Sequence, residues 1–158
     1  MAIENLVDVQ EESAIKNAAL SLLARREHSQ QELRMKLARK FQDSSRVEEQ
    51  ISQLADSDMQ SEERFVEVFI RAKRNAGKGP KFIQQELRNR GVSEFLIASY
   101  IYENDEEWHL LASDVYLKKF GGVPVEDAHD KAKRIRFMVS RGFSPDSVFR
   151  IMAEEPVI

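Results

Sequence analysis

The side chains of this sequence that could do chemistry are mostly basic, and they occur in three segments. Residues 25–40 hold six Lys or Arg and two acids, residues 71–90 hold seven and one, and residues 131–141 hold five and none. Acid-rich segments at 42–63 and 103–114 separate them. Clustered cations bind phosphates or carboxylates. We therefore predict local anion-binding patches, although the net charge of −3 argues against polyanion binding by the whole molecule.

Scattered solubilising charge and neutralisation by the neighbouring acids are the structural alternatives to a binding surface. We expect the second basic segment to contribute most to binding, then the third, and then the first. The candidates in the second segment are Arg71, Lys73, Arg74, Lys78, Lys81, Arg88 and Arg90. Those in the third segment are Lys131, Lys133, Arg134, Arg136 and Arg141. The secondary candidates, in the first segment, are Arg25, Arg26, Arg34 and Lys36.

Other chemistry has little support. The chain has no cysteine, and its three histidines (His28, His109 and His129) lack the spacing of metal ligands. The segment at residues 77–80, Gly-Lys-Gly-Pro, is too short for a P-loop and follows a predicted helix. It is either a plain interhelical turn or a positive corner where Lys78 and Lys81, beside a helix start, could hold a phosphate or a carboxylate. We predict no catalytic residue, no metal, no cofactor and no enzyme activity.

The elements that must position the cations are predicted to be helices. Apolar residues recur at helical spacing, and sustained alternation and Asn-Gly or Asp-Gly hairpins are absent. Capping boxes are predicted at residues 29–32 and 45–48. Pro80 suits a first helical position, and Gly91 and Gly142 suit left-handed helix ends. We predict an all-α chain of nine helices.

The helices are predicted to form three tandem repeats with a period near fifty residues. The turns at residues 90–93 and 141–144 share a basic helix end, a glycine, an apolar residue and a serine. We expect a disordered extension at 1–12 and three-helix repeats at 13–60, 61–103 and 104–155. Such arrays are elongated. The basic middle helices would then align as one basic stripe, which could track several phosphates or an acidic protein groove.

The N-terminal segment does not look like a targeting signal. Its first twelve residues carry four acids and no Lys or Arg, and no apolar run approaches a membrane span. We therefore expect a protein of the cytoplasm that does not enter membranes.

Four motifs resemble those of the RecX family. They occur in order at residues 25–33 with 36–37, at 64–65, at 77–87 with 90–92, and at 141–144. The resemblance covers about residues 14–152. One departure is the stretch at residues 59–63, where the family usually has an apolar residue and paired aspartates before the Arg-Phe pair.

What the resemblance implies is a regulator. RecX proteins lie in the groove of the RecA–DNA filament, bridge neighbouring subunits, and suppress ATP hydrolysis and strand exchange. The family is also described as three tandem three-helix repeats, which would form a curved array here. The implied partners are the RecA filament and, through phosphates, single- or double-stranded DNA, with the protein itself a monomer.

Two other functions stay open at this level. The first is a stand-alone nucleic-acid-binding module, since three-helix units are similar to helix-turn-helix domains. Few Asn or Gln side chains accompany the basic helices, so phosphate contacts would dominate such binding. The second is a helical adaptor for an unrelated acidic protein.

Overall fold

The structure is a computed structural model that describes residues 2–155. In this range the chain forms nine α-helices and no strand, which confirms the predicted all-α class. They are α1 (Ala2–Arg25), α2 (Gln30–Ala38), α3 (Ser44–Asp56), α4 (Glu62–Asn75), α5 (Pro80–Asn89), α6 (Glu94–Tyr100), α7 (Glu106–Phe120), α8 (Ala128–Ser140) and α9 (Pro145–Ala153).

The chain divides into two compact units. Unit 1 comprises the described residues up to 68 together with 89–93, and unit 2 comprises residues 69–88 and 94–155. In unit 1, α1, α2 and α3 pack around a core of Ile15, Ala19, Leu33, Leu37, Val47, Ile51 and Leu54. In unit 2, α7, α8 and α9 surround Ala112, Tyr116, Met138, Phe143, Val148 and Ile151.

Helix ends follow local side-chain chemistry, mostly as predicted. The Ser29 hydroxyl accepts the Glu32 amide at 3.1 Å, and the Glu32 carboxylate accepts the Ser29 amide at 3.1 Å, so this capping box is confirmed. The second box is wrong, because α3 begins two residues earlier than a cap at Ser45 would place it. Its N-cap is Asp43, whose carboxylate accepts the amides of Ser45 (3.1 Å) and Arg46 (3.3 Å).

The first twelve residues also differ from expectation. We expected disorder, whereas residues 2–12 form the first half of α1. Asp8 and Glu11 on this half-helix both pair with Arg46 of α3. These contacts tie the helix to unit 1 and give its acidic residues a structural role.

The turn that occurs twice in the sequence makes the same kind of contact in both units. Each copy forms hydrogen bonds with the start of a middle helix that precedes it in the chain. In unit 1, the Ser29 hydroxyl donates to the Arg90 carbonyl at 2.8 Å. The Gln31 side chain donates to the Asn89 carbonyl at 3.0 Å. Gly91 lies beside them with φ +79°, where a Cβ atom would clash with the Gln31 side chain.

In unit 2, the corresponding turn meets the start of α5. The Gly79 amide donates to the Arg141 carbonyl at 2.7 Å, and the Lys81 amide donates to the Gly142 carbonyl at 3.1 Å. Gly142 has φ +103°, and a Cβ atom there would lie 2.5 Å from Cβ of Phe82. We name these two contacts the unit 1 junction and the unit 2 junction. Because each turn contacts a helix start, the turn and the helix start recur together, about fifty residues apart in the sequence.

Candidate basic interface

The unit 2 junction brings together two of the predicted basic segments. Because the amides of residues 79 and 81 bind carbonyls 141 and 142, Lys78, Lys81 and Arg141 all emerge from one hydrogen-bonded corner. The Lys78 ammonium lies 4.6 Å from the Phe82 ring centroid. The Arg141 guanidinium lies 5.2 Å from the Phe137 centroid and donates to the Ala76 carbonyl at 3.4 Å. The corner is therefore cationic and held by backbone contacts.

Several candidates have no acidic partner, which leaves them able to bind an external anion. Within residues 2–155, no carboxylate pairs within 4.0 Å with any member of this group. Its members are Arg25, Arg71, Lys73, Lys78, Lys81, Lys131, Lys133, Arg136 and Arg141. Lys131, Lys133 and Arg136 are exposed on α8, and the Lys131 ammonium lies 5.6 Å from the Phe149 centroid.

A second group of candidates is neutralised inside its own unit. Arg74 contacts Glu107 at 3.3 Å, Arg88 pairs with Glu94, and Arg34 pairs with Glu48. The hydrogen bond to Glu94 raises the pKa of Arg88, and that to Glu48 raises the pKa of Arg34. An external anion must therefore compete with these carboxylates for the three guanidinium groups. This agrees with the alternative stated above, in which neighbouring acids neutralise the basic residues.

Glu32 neutralises two further candidates at the unit 1 junction. Its carboxylate contacts Arg26 at 2.9 Å and Arg90 at 3.8 Å. Burial raises the pKa of Glu32, but hydrogen bonds from Arg26 and from the Ser29 amide outweigh burial, and the net pKa is lowered. Glu32 therefore stays ionised between the two guanidinium groups.

Arg134 was wrongly placed among the contact residues. Only 4% of its surface is exposed. Its guanidinium donates to the Tyr116 hydroxyl and the Val123 carbonyl, both at 2.8 Å, and pairs with Asp130 at 3.1 Å. It also lies 3.7 Å from Glu155. The side chain holds the loop before α8 and the end of the described chain, so it is structural.

Lys36 also has a partner inside unit 1, the buried side chain of His28. Only 1% of His28 is exposed; its Nδ1 lies 3.0 Å from the Arg26 carbonyl and its Nε2 lies 2.9 Å from the Lys36 ammonium. The ammonium can only donate, so Nε2 is the acceptor and Nδ1 carries the proton. Burial, with the nearby Arg26 and Lys36 charges, lowers the pKa of His28.

Two cations that the sequence reasoning missed also face solvent in unit 2. Lys118 and Lys119 end α7, and both are exposed. They lie four and five residues after the acid-rich segment at 103–114, and they were not grouped with any of the three basic segments. The basic end of a predicted helix could have revealed them, because Lys in a last turn also complements the helix dipole.

The described residues contain neither a metal-ligand cluster nor a membrane-spanning helix. No group of three His, Asp or Glu side chains in residues 2–155 could hold a metal ion. None of the helices in that range is long and apolar enough to cross a bilayer.

Comparison with known proteins assigns the family. Models of the first, second and third three-helix domains of RecX match residues 16–51, 61–100 and 105–152. The chain belongs to the RecX family. The resemblance seen in the sequence motifs is thereby confirmed, and so is the organisation in three three-helix domains.

Curated RecX proteins are similar over most of their length. The regulatory protein RecX of Halorhodospira halophila is 40% identical over 136 residues, which cover 85% of this chain and 84% of that protein. The regulatory protein RecX of Pseudomonas putida strain GB-1 is 35% identical over 140 residues, or 89% and 90% of the two chains. These relatives are named as regulators and not as enzymes.

Solved RecX structures share the fold. The crystal structure of RecX from Lactobacillus salivarius superposes with a TM-score of 0.79 at 22% identity, over 95% of this chain and 99% of that one. A second crystal structure, of regulatory protein RecX, gives a TM-score of 0.80 at 21% identity over 97% and 76%.

Proposed function

We propose that this RecX-family chain regulates the RecA recombinase by binding the RecA–DNA filament and lowering its ATPase and strand-exchange activity. The match of all three RecX domain models, in order along the chain, is the observation that carries the proposal. The protein would act as a cytoplasmic monomer in recombination, DNA repair and the SOS response, without enzyme activity of its own.

Exposed and partly exposed cations without an acidic partner give the proposal its physical support. The corner of unit 2 presents Lys78, Lys81 and Arg141, and α8 presents Lys131 and Lys133. Separate cationic groups on one chain bind a repetitive anionic partner more tightly than either group alone, because the second contact is intramolecular. Contacts that bridge filament subunits would hinder the movements that ATP turnover requires. That the basic helices form one continuous stripe stays a prediction.

The first experiment titrates the protein into RecA and measures DNA-dependent ATP hydrolysis. Because one bridging molecule would affect several subunits, we expect hydrolysis to fall at sub-stoichiometric protein. Unchanged ATPase and strand exchange up to equimolar protein would reject the proposal.

The second experiment reverses the corner charges with Lys78→Glu and Lys81→Glu together. If both side chains contact phosphates, affinity for the RecA–DNA filament should fall about tenfold, and the slope of log affinity against log salt should decrease by about 1.5. The charge-matched control combines Lys16→Glu and Lys40→Glu, both exposed and outside the candidate set. Equal losses in the two double variants would mean that net charge alone matters.

Protein without RecA provides the remaining control. The stand-alone module predicts direct DNA binding with a clear sequence preference, whereas a filament regulator requires RecA for its tight binding. Enrichment of a different acidic protein, with RecA absent, would instead favour the adaptor.

A further inference from the structure

Unit 2 contains a second cationic feature, which shares Arg141 with the corner but does not include Lys78 or Lys81. A groove of about 330 Å³ lies between the C-terminal end of α4, the middle of α7 and the end of α8. We name it the α4–α7–α8 groove. Its apolar floor is formed by Leu111, Val115 and Phe137. Its rim carries the four cations Arg74, Lys118, Lys119 and Arg141.

Two of the four rim cations have an acidic partner, since Arg74 pairs with Glu107, outside the groove lining, and Lys118 pairs within it. Among the described residues that line the groove, the one carboxylate is Asp114, which pairs with Lys118 at 3.0 Å. The Lys118 side chain is nevertheless 76% exposed. Lys119 and Arg141 make no ion pair within the described residues, so the rim attracts negative charge.

The floor argues for a protein ligand rather than a nucleobase. Bases commonly bind single-strand proteins by stacking on an aromatic ring. Here the Phe137 ring already has the Lys119 ammonium at 5.1 Å and the Arg141 guanidinium at 5.2 Å from its centroid. Phe120 packs against it edge-on at 5.6 Å. A stacking base would have to displace one of these groups, whereas an aliphatic side chain could use Leu111 and Val115.

We propose that the α4–α7–α8 groove binds a short acidic segment of a partner protein. An apolar side chain of that segment would lie on Leu111 and Val115, and its carboxylates would contact Lys118, Lys119 and Arg141. Amphipathic segments in apolar grooves are a general mode of peptide recognition. The groove would add a protein contact to the phosphate contacts of the proposed function, and it does not depend on that function.

The test uses the full chain, no RecA, and three fluorescein-labelled probes followed by anisotropy. The first is a peptide with leucines one helical turn apart and glutamates between them. The second replaces every glutamate with glutamine, and the third is a thymidine oligonucleotide. We expect the acidic peptide to bind at least about tenfold more tightly than the glutamine peptide, equivalent to about 1.4 kcal/mol.

Charge reversal assigns binding to the groove. Lys118→Glu with Lys119→Glu should weaken the acidic peptide about tenfold, and should change oligonucleotide affinity by less than about threefold. Lys16→Glu with Lys40→Glu is the matched control and should leave peptide affinity within about twofold. Circular dichroism would check that each variant keeps its helices.

Three results would overturn the inference. They are equal binding of the acidic and glutamine peptides, equal losses in the groove and control variants, and a larger loss for the oligonucleotide than for the peptide. The last would reassign the groove to phosphates. Because RecA is absent from this assay, its failure is distinct from a failure of the ATPase titration.

Discussion

Replacing Gly142 with alanine should break the unit 2 junction and destabilise unit 2. At this position φ is +103°, and an added Cβ would lie 2.5 Å from Cβ and 2.6 Å from the amide nitrogen of Phe82. The same atom would lie 2.9 Å from the Gly79 carbonyl oxygen. Two of the three contacts are with backbone, so a side-chain rotation cannot relieve them, and α5 and the turn must separate.

The magnitude follows from what the separation removes. A side chain at this left-handed backbone costs about 2 kcal/mol. Loss of the hydrogen bonds from the Gly79 and Lys81 amides, at 2.7 and 3.1 Å, costs about 1 kcal/mol each. We therefore expect Gly142→Ala to lower the free energy of unfolding by about 4 kcal/mol.

Gly121 is the control, because it also has a positive φ but lacks the contact. Its φ is +67° as the C-cap of α7, and an added Cβ would meet nothing within 4 Å. Gly121→Ala should cost about 1–2 kcal/mol, the backbone strain alone. Urea unfolding followed by Trp108 fluorescence measures both variants, since Trp108 is the chain's single tryptophan and is buried in unit 2. Equal losses in the two variants would refute the role of the junction.

Two further predictions concern buried polar groups. Arg134→Met leaves the Tyr116 hydroxyl and an acidic partner unpaired, so the unfolding free energy should fall by about 3–5 kcal/mol in thermal denaturation. Exposed Arg136→Met should change it by less than about 0.5 kcal/mol; similar losses would contradict the assignment. Burial lowers the pKa of His28, so the unfolded chain binds more protons. Stability should therefore be full above about pH 6.5 and fall with acidification below it. A His28→Gln variant with the same pH slope in urea midpoints would contradict this.

Local signals were predictable because they depend on neighbours in sequence. Ser29 caps α2, Pro80 begins α5, and Gly91 and Gly142 adopt positive φ, each as its residue type favours. The wrong N-cap of α3 shows the limit of such signals. Asp43 and Ser45 are both good capping residues two positions apart, and the carboxylate at 43 accepts two amides.

Whether a given basic side chain is exposed, ion-paired or buried was not predictable, because this depends on residues that are distant in the sequence. Arg134 lies in a run of basic residues that reads as a solvated helix face. Its partners Tyr116, Val123 and Glu155 come from three other places in the chain, and only the fold assembles them. The groove beside Lys118 and Lys119 was not predictable for the same reason, because its apolar floor is formed by residues of α8 as well as α7.

The two junctions also determine when the protein can finish folding during synthesis. On the ribosome the N-terminal part emerges first. The Ser29 hydroxyl can bond to the Arg90 carbonyl, and the Gly79 and Lys81 amides to the carbonyls of Arg141 and Gly142, only after about sixty more residues have been synthesised. Premature termination before residue 141 would release a chain whose α5 start lacks these two hydrogen-bond acceptors.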